Sequence, residues 1–283
     1  MMEWINEANV LIAGLGLIGG SYAKALKRLG FRVMAMDKDE ETIRYALENK
    51  IIDEGKTDDS LLPKADCIIL ALYPSIVAQW VSDHQEHFKS GVILTDVTGV
   101  KSGVVSKVQD ILREDAEFIA AHPMAGREVY GVKNSDDKIF REANYIVVPT
   151  EKNTDEAIKW CKNLGRVLGF SRISVLTPQE HDSMIAYVSQ LTHCIAVALM
   201  TCDDNEHLRD YTGDSFRDLT RIARINEDMW TELFFMNREP LLERIDGFIA
   251  EMENIRAMID QKDEEGLKEK MRLSTKRRML FDK

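Results

Sequence analysis

The feature that most constrains this chain is a glycine-rich turn. Gly14-Leu15-Gly16-Leu17-Ile18-Gly19 lies between an apolar run at Val10–Ala13 and an amphipathic stretch that predicts a helix at about Ser21–Leu29. Strand, tight turn and helix N-terminus in that order make a phosphate cradle. The first glycine permits the turn, the second lets a pyrophosphate approach the backbone, and the third lets the helix pack on the strand. The unpaired N–H groups of the helix start then face the anion. An acidic residue about 20 positions further on is expected to hold a ribose 2′-hydroxyl. Asp37, at the end of the second apolar run, meets that requirement. Its carboxylate would repel a 2′-phosphate, so the pattern predicts NAD rather than NADP. The expected cofactor-binding set is Gly14, Gly16, Leu17, Ile18, Gly19 and Asp37.

The rest of the first half repeats the strand-helix alternation. Arg32–Met36, Cys67–Leu72, Val92–Thr95, Phe118–Ala121 and Tyr145–Val148 predict buried strands, and a helix near Thr154–Leu168 and a strand near Ile173–Leu176 complete the series. Such alternation predicts an α/β fold with a doubly wound, mostly parallel sheet of Rossmann type. From Pro178 the strand-like runs stop. Gln179–Thr201 predicts one long, nearly all-apolar helix with Pro178 in its first turn, and helical spacing continues to Arg278 with breaks near Tyr211–Asp214 and Pro240. The length, 283 residues, also favours two domains. We therefore expect a nucleotide-binding domain over residues 1–176 and an all-helical domain over 177–283. A small helical domain gives an apolar helix little cover, which predicts a homodimer through that domain.

Charge and cysteine usage narrow the partners. The formal net charge of −11 argues against nucleic acid and anionic membrane, both of which need a cationic face. It also means that any anionic substrate needs locally concentrated positive charge. Cys67, Cys161, Cys194 and Cys202 are scattered without a CxxC pair, as in a reduced, cytoplasmic protein. Met1–Asn9 is polar and acidic, unlike a signal peptide, and no apolar run approaches the roughly 20 residues of a membrane span. His84 and His87 lack the HExxH zinc spacing, so no metal is expected.

Three segments carry candidate chemistry. His122 follows a strand in Ala121-His122-Pro123-Met124-Ala125-Gly126, where open parallel sheets bind ligands, and histidine exchanges protons near neutral pH. Asp96-Val97-Thr98-Gly99-Val100-Lys101-Ser102 is a second loop at a strand end. Arg217, Arg221 and Arg224 stand at helical spacing. That stripe fits a solvated face paired with Asp218 or Glu227, or a carboxylate receptor, since guanidinium forks match carboxylates. His193 fits a satisfied buried histidine, and His181 and Asp182 fit capping residues near a helix start.

Taken together, these segments resemble the prephenate dehydrogenase family. The likeness runs from Gly14–Ser21 through His122-Pro123-Met124-Ala125-Gly126, Glu180-His181-Asp182 and Ser189-Gln190-Leu191-Thr192-His193 to Phe216-Arg217-Asp218-Leu219-Thr220-Arg221-Ile222-Ala223 and Met229-Trp230. The resemblance implies NAD-dependent oxidative decarboxylation of prephenate to 4-hydroxyphenylpyruvate, a step of tyrosine biosynthesis. By that likeness His122 takes the proton of the ring hydroxyl, Arg221 holds a substrate carboxylate and His193 lies near the side chain. Glu128, Arg217 and Gln190 match positions around the site. Two departures stand out. The family commonly has Gly-Ser-x-Lys where this chain has Thr98-Gly99-Val100-Lys101, and Gln190 replaces a frequent histidine. Thr98 is expected to supply the missing hydroxyl. With the sequence ending at Lys283, the regulatory domain that some members append is not expected. Arogenate or dual-substrate (cyclohexadienyl) dehydrogenase activity remains open, and an NAD-sensing regulatory protein is the non-enzyme alternative. A hydroxyisobutyrate-type enzyme would want a lysine on Gln179–Thr201, which has none.

Overall fold

The computed structural model describes residues 8–281. Residues 1–7, which bear most of the expectation about a leader peptide, and Lys283 lie outside that range. The chain divides into two compact units, Met1–Asn237 and Arg238–Lys283.

The first unit begins β1 (Asn9–Ala13), α1 (Leu17–Arg28), β2 (Arg32–Met36), α2 (Glu40–Glu48), β3 (Glu54–Lys56), β4 (Cys67–Leu70), α3 (Pro74–His84), β5 (Ile93–Asp96), α4 (Ser102–Ile111) and β6 (Glu117–Phe118). Their strands form one parallel sheet in the order β3-β2-β1-β4-β5-β6. The order reverses between β1 and β4, which opens a ligand crevice at the carboxyl ends of the strands. Period-two side-chain alternation splits β1 between two cores. Val10 and Ile12 pack with Tyr22, Leu26 and Trp160 on one face, and Leu11 and Ala13 with Leu61, Val77 and Val104 on the other. The edge strand β3 is not foreseen from sequence, because Glu-Gly-Lys has no apolar run. It pairs there because Gly55 lets the backbone press against Ile43 and Ile52.

Then follow β7 (Ala120–Pro123), β8 (Asn144–Val148), α5 (Asp155–Leu168) and β9 (Arg172–Val175), a three-stranded sheet in which β7 runs antiparallel to β8. The single strand expected at Phe118–Ala121 is thus bent. Its start stays on β5, with the Ile119 N–H donating to the Leu94 carbonyl (3.0 Å), while Ala120 pairs with Val148. His122 rides on the second half.

After Val175 all structure among the described residues is helical: α6 (Pro178–Ile185), α7 (Leu191–Thr201), α8 (Leu208–Tyr211), α9 (Asp214–Thr220) and α10 (Glu227–Met236) in the first unit. α6 starts where Thr-Pro-Gln-Glu dictates. Pro178 takes the first position, the Glu180 N–H donates to Thr177 Oγ1 (3.2 Å), and Glu180 Oε2 accepts from the Thr177 N–H (2.8 Å), a reciprocal capping box. Between α6 and α7 the helix widens to a π-turn at Ala186–Gln190, closed by the Leu191 N–H on the Ala186 carbonyl. Pro178–Thr201 is therefore continuous over 24 residues and apolar enough, by length and composition, to cross a bilayer. That corrects the expectation that no run approaches such a span. The helix carries His181, Asp182 and Gln190 buried in the protein, as a core helix does. Its Met184, Tyr187, Val188 and Met200 are exposed.

The second unit pairs α11 (Arg238–Asp260) with α12 (Glu264–Arg278). The two helices are joined by a turn with Lys262 left-handed (φ 54°) and are tied by Lys270 to Glu251 at 2.7 Å. Ile249, Met252, Ile259 and Met271 on them are exposed.

Candidate active site

The glycine turn has the geometry that a bound phosphate requires. Gly14 sits at φ +92°, and a Cβ there would come within 2.5 Å of the Ala71 carbonyl oxygen. A Cβ at Gly19 would strike the Gly14 carbonyl oxygen at 1.9 Å, whereas one at Gly16 would meet nothing within 4 Å. The turn is closed inward and open outward. α1 begins at Leu17, four residues earlier than the apolar pattern suggested, with Gly16 as N-cap and no side-chain cap. The first-turn N–H groups of Leu17, Ile18 and Gly19 have no intrahelical acceptors, so an anion can take them. Asp37, partly buried past β2, accepts from the Leu15 N–H (2.7 Å) and the Asp39 N–H (3.0 Å). Those bonds aim the carboxylate beside the turn and leave lone pairs for ribose hydroxyls. The chain thus fits NAD.

Beyond β5 lies a fully buried polar network. Lys101 Nζ donates to Asp96 Oδ2 (2.6 Å), the Ala121 carbonyl (2.6 Å) and Thr98 Oγ1 (3.1 Å). Every ammonium N–H is thereby satisfied, as an uncompensated buried charge would be costly. Desolvation lowers the Lys101 pKa, and the adjacent Asp96 carboxylate opposes that shift. Asp96 Oδ1 accepts from the Ala121 N–H (3.1 Å). Ala121 is clamped through both backbone groups, which fixes the residue that follows it, His122.

This network corrects the expectation for Thr98. Its hydroxyl bonds to Asp96 and lies 2.9 Å from the Val100 carbonyl, beneath the site. The residue that faces the histidine is Gly99, where a Cβ would lie 3.9 Å from His122 Cε1 and 3.3 Å from Leu233 Cδ2. Just past β5 the chain turns, and neighbouring residues face opposite ways.

His122 is partly exposed, and Nε2 has no hydrogen-bond partner among the described residues. Desolvation by the surrounding atoms, then the charges of His181 and Lys101, hold its pKa well below the ordinary histidine value. It is a neutral imidazole at pH 7, able to accept a proton. Its Nδ1 lies 2.9 Å from His181 Nε2, and His181 Nδ1 lies 2.8 Å from Asp182 Oδ1. By sequence alone His181 and Asp182 fit helix-start residues, and only the fold brings them to His122. The adjacent His-Asp pair near a helix start was the available signal.

A second cluster surrounds His193. Its ring stacks on Trp230 (centroids 3.6 Å apart, 30° between planes), and Nδ1 donates to the Ser189 carbonyl (2.9 Å). Desolvation lowers its pKa; the Ser189 carbonyl and Glu128 raise it and Arg221 lowers it further, so both charges lie within electrostatic reach. Arg221 and Glu128 form an ion pair at 2.7 Å. Trp230 and Leu233, one turn apart on α10, link this cluster to the His122 cluster.

Other expected residues sit elsewhere. The arginine stripe is broken, because α9 ends at Thr220 and Arg221 begins a 3-10 turn. Arg217 folds back onto its own helix start, donating to the Thr212 carbonyl (3.1 Å) beside Asp214 (3.5 Å). The partners are Glu128 and Asp214 rather than Asp218 or Glu227. Gln190 is buried with its amide spent: Nε2 donates to the Leu233 carbonyl (2.9 Å) and Oε1 accepts from Asn237 Nδ2 (2.7 Å). It anchors α10 from within the core.

Comparison with known proteins places the whole chain beside one family. The family model for the prephenate dehydrogenase nucleotide-binding domain matches residues 22–175, and that for the prephenate dehydrogenase dimerization domain matches residues 177–273. The chain is 31% identical to prephenate dehydrogenase of Bacillus subtilis over 269 residues, covering 91% of this chain and 72% of that one. It is 28% identical to cyclohexadienyl dehydrogenase of Zymomonas mobilis, with 96% of each chain covered. Among solved structures it is similar to Aquifex aeolicus prephenate dehydrogenase in complex with hydroxyphenyl propionate and NAD+. There the TM-score is 0.90 and the identity 29%, over 99% of this chain and 100% of that one.

Proposed function

Because the chain belongs to the prephenate dehydrogenase family and is an NAD-dependent oxidoreductase, we propose that its substrate is prephenate, decarboxylated oxidatively to 4-hydroxyphenylpyruvate. The observation that carries this reading is His122: a neutral imidazole at the carboxyl ends of the strands, its Nε2 without a hydrogen-bond partner among the described residues, on a backbone clamped by Asp96 and Lys101. NAD, held by Gly14–Gly19 and Asp37, supplies the hydride acceptor for the ring carbon. His122 Nε2 accepts the proton of the ring hydroxyl as that carbon is oxidised, and loss of the ring carboxylate as CO2 leaves an aromatic phenolate that takes the proton back from the His122 imidazolium. Arg221 exchanges its exposed partner Glu128 for a substrate carboxylate. His193, held by Ser189 and Trp230, lines the side-chain end, and Leu233 keeps water from the face of His122 beside Gly99.

A dual-substrate reading has one observation in its favour. Glu128, once released from Arg221, is an acceptor suited to the ammonium group of arogenate. Reduction of NAD by the purified protein with prephenate and then arogenate tests both readings. Turnover of arogenate alone would refute the prephenate assignment, and turnover of neither would leave a nucleotide-sensing role. We place the functional boundary near residue 176, with residues 177–283 forming a homodimer in the cytoplasm. The exposed Met184, Tyr187 and Val188 support that assembly, since a second copy would take them from water. Light scattering that reports a monomer at micromolar concentration would refute it.

A further inference from the structure

His181 and Asp182 have no part in the chemistry above, yet they form a buried chain that ends on the proposed base. Asp182 is anchored on the start of α4. Its Oδ1 accepts from the Lys101 N–H (2.8 Å) and its Oδ2 from the Ser102 N–H (2.8 Å). Its own carbonyl accepts from Asn237 Nδ2 (2.9 Å). Burial opposes its ionisation, but the hydrogen bonds from His181 and Ser102 outweigh burial and hold the carboxyl below the usual range. It is therefore a carboxylate, and a carboxylate only accepts hydrogen bonds.

The proton positions follow in order. His181 Nδ1, 2.8 Å from that carboxylate, must carry a hydrogen. Desolvation keeps His181 neutral at pH 7, although Asp182 pulls the other way, so its Nε2 is bare and accepts. His122 Nδ1, 2.9 Å away, must then carry the hydrogen between the rings. A neutral imidazole has one N–H, which leaves His122 Nε2 unprotonated. In the opposite tautomer Nε2 would carry a hydrogen and could accept nothing.

We propose that His181 and Asp182 are positioning residues that hold His122 in the Nδ1–H tautomer and so make its Nε2 the base. When Nε2 takes the substrate proton, His122 becomes an imidazolium. Its Nδ1–H bond to His181 strengthens, and the Asp182 carboxylate supplies compensating charge one ring away. No electron or group transfer is involved. The arrangement follows the logic by which an acid orients a catalytic histidine, with a second imidazole interposed. It also explains how His122 works beside Gly99 with no hydroxyl to orient it.

This inference rests on His122 being the base, and the test separates the two claims. In 15N-histidine-labelled protein with NAD bound, the imidazole nitrogen shifts of His122 at pH 7 should report a protonated Nδ1 and a bare Nε2. His181→Leu, which cannot accept, should lower kcat by about 100-fold, leave the Kd for NAD unchanged and mix the His122 tautomers. His181→Gln, whose Oε1 can accept from Nδ1–H, should recover most of kcat. In a His122→Asn background His181→Leu should cost nothing further. An Nε2–H tautomer in the wild-type protein overturns the proposal, and so does full kcat in His181→Leu. If His122→Asn itself retains activity, the base assignment fails instead. Should His181→Leu not fold, the wild-type spectrum and His181→Gln still decide.

Discussion

Replacing Thr98 with valine keeps the side chain's shape and removes only its hydroxyl. The hydroxyl accepts from Lys101 Nζ at 3.1 Å and bonds to the Asp96 carboxylate, and Thr98 as a whole is 3% exposed. No water can replace it without opening the core. The substitution therefore leaves one ammonium N–H of Lys101 unpaired and takes one donor from Asp96. A buried polar group deprived of its partner costs about 1–3 kcal/mol, and both partners here are charged, which favours the upper end. For a protein of this size that lowers Tm by roughly 2–12 °C. Thr98 does not touch His122, so kcat should escape the 10²–10⁴-fold loss, roughly, that follows removal of an acid–base partner. Calorimetry and steady-state rates with prephenate measure both. A variant with unchanged Tm and kcat down about 100-fold would refute the reasoning, because the hydroxyl would then act on the reaction itself.

Gly99→Ser puts a Cβ 3.3 Å from Leu233 Cδ2, a contact that a small leucine rotation relieves. Activity should be kept or raised, and a collapse of kcat at intact Tm would count against the space described here. Arg221→Ala should raise KM for prephenate by at least about tenfold with NAD affinity unchanged in titration; an unchanged KM would make the Glu128 pair structural. Asp37→Asn should narrow an NAD preference over NADP of at least about tenfold, because it removes like-charge repulsion on a 2′-phosphate; equal wild-type kinetics with the two cofactors would contradict the cradle's assignment. The pKa of His122 lies well below 6.5 in the folded protein, so protonation disables the base only under acid. The kcat/KM profile should stay flat through pH 6.5 and fall below it. Stability has the same sign: the unfolded chain binds the proton first, so His122 destabilises the fold as pH drops through the ordinary histidine value towards its own. An acid limb at or above pH 6.5 would contradict the burial argument.

What the sequence determined by itself was local. The cofactor cradle was legible because a glycine turn, its flanking strand and helix, and Asp37 act within one strand-helix-strand unit, where backbone dihedrals and short spacings decide the geometry. The start of α6 was legible from Thr177, Pro178 and Glu180 for the same reason. Even the change from α/β to all-helical texture at 176 is a matter of local periodicity. The tertiary structure decided what depends on pairs distant along the chain. His122 meets His181 across 59 residues, and Arg221 meets Glu128 across 93. Spacing within one helix could not reveal that α9 stops before Arg221, or that Gln190 turns inward at a π-turn to hold α10. Thr98 and Gly99 show the limit most sharply. Which of two neighbours faces the base depends on how the chain leaves β5, and the buried Asp96–Lys101 pair sets that exit. Burial of that pair requires every donor to be satisfied, and only the folded packing of β5 and its following loop against β7 provides the acceptors.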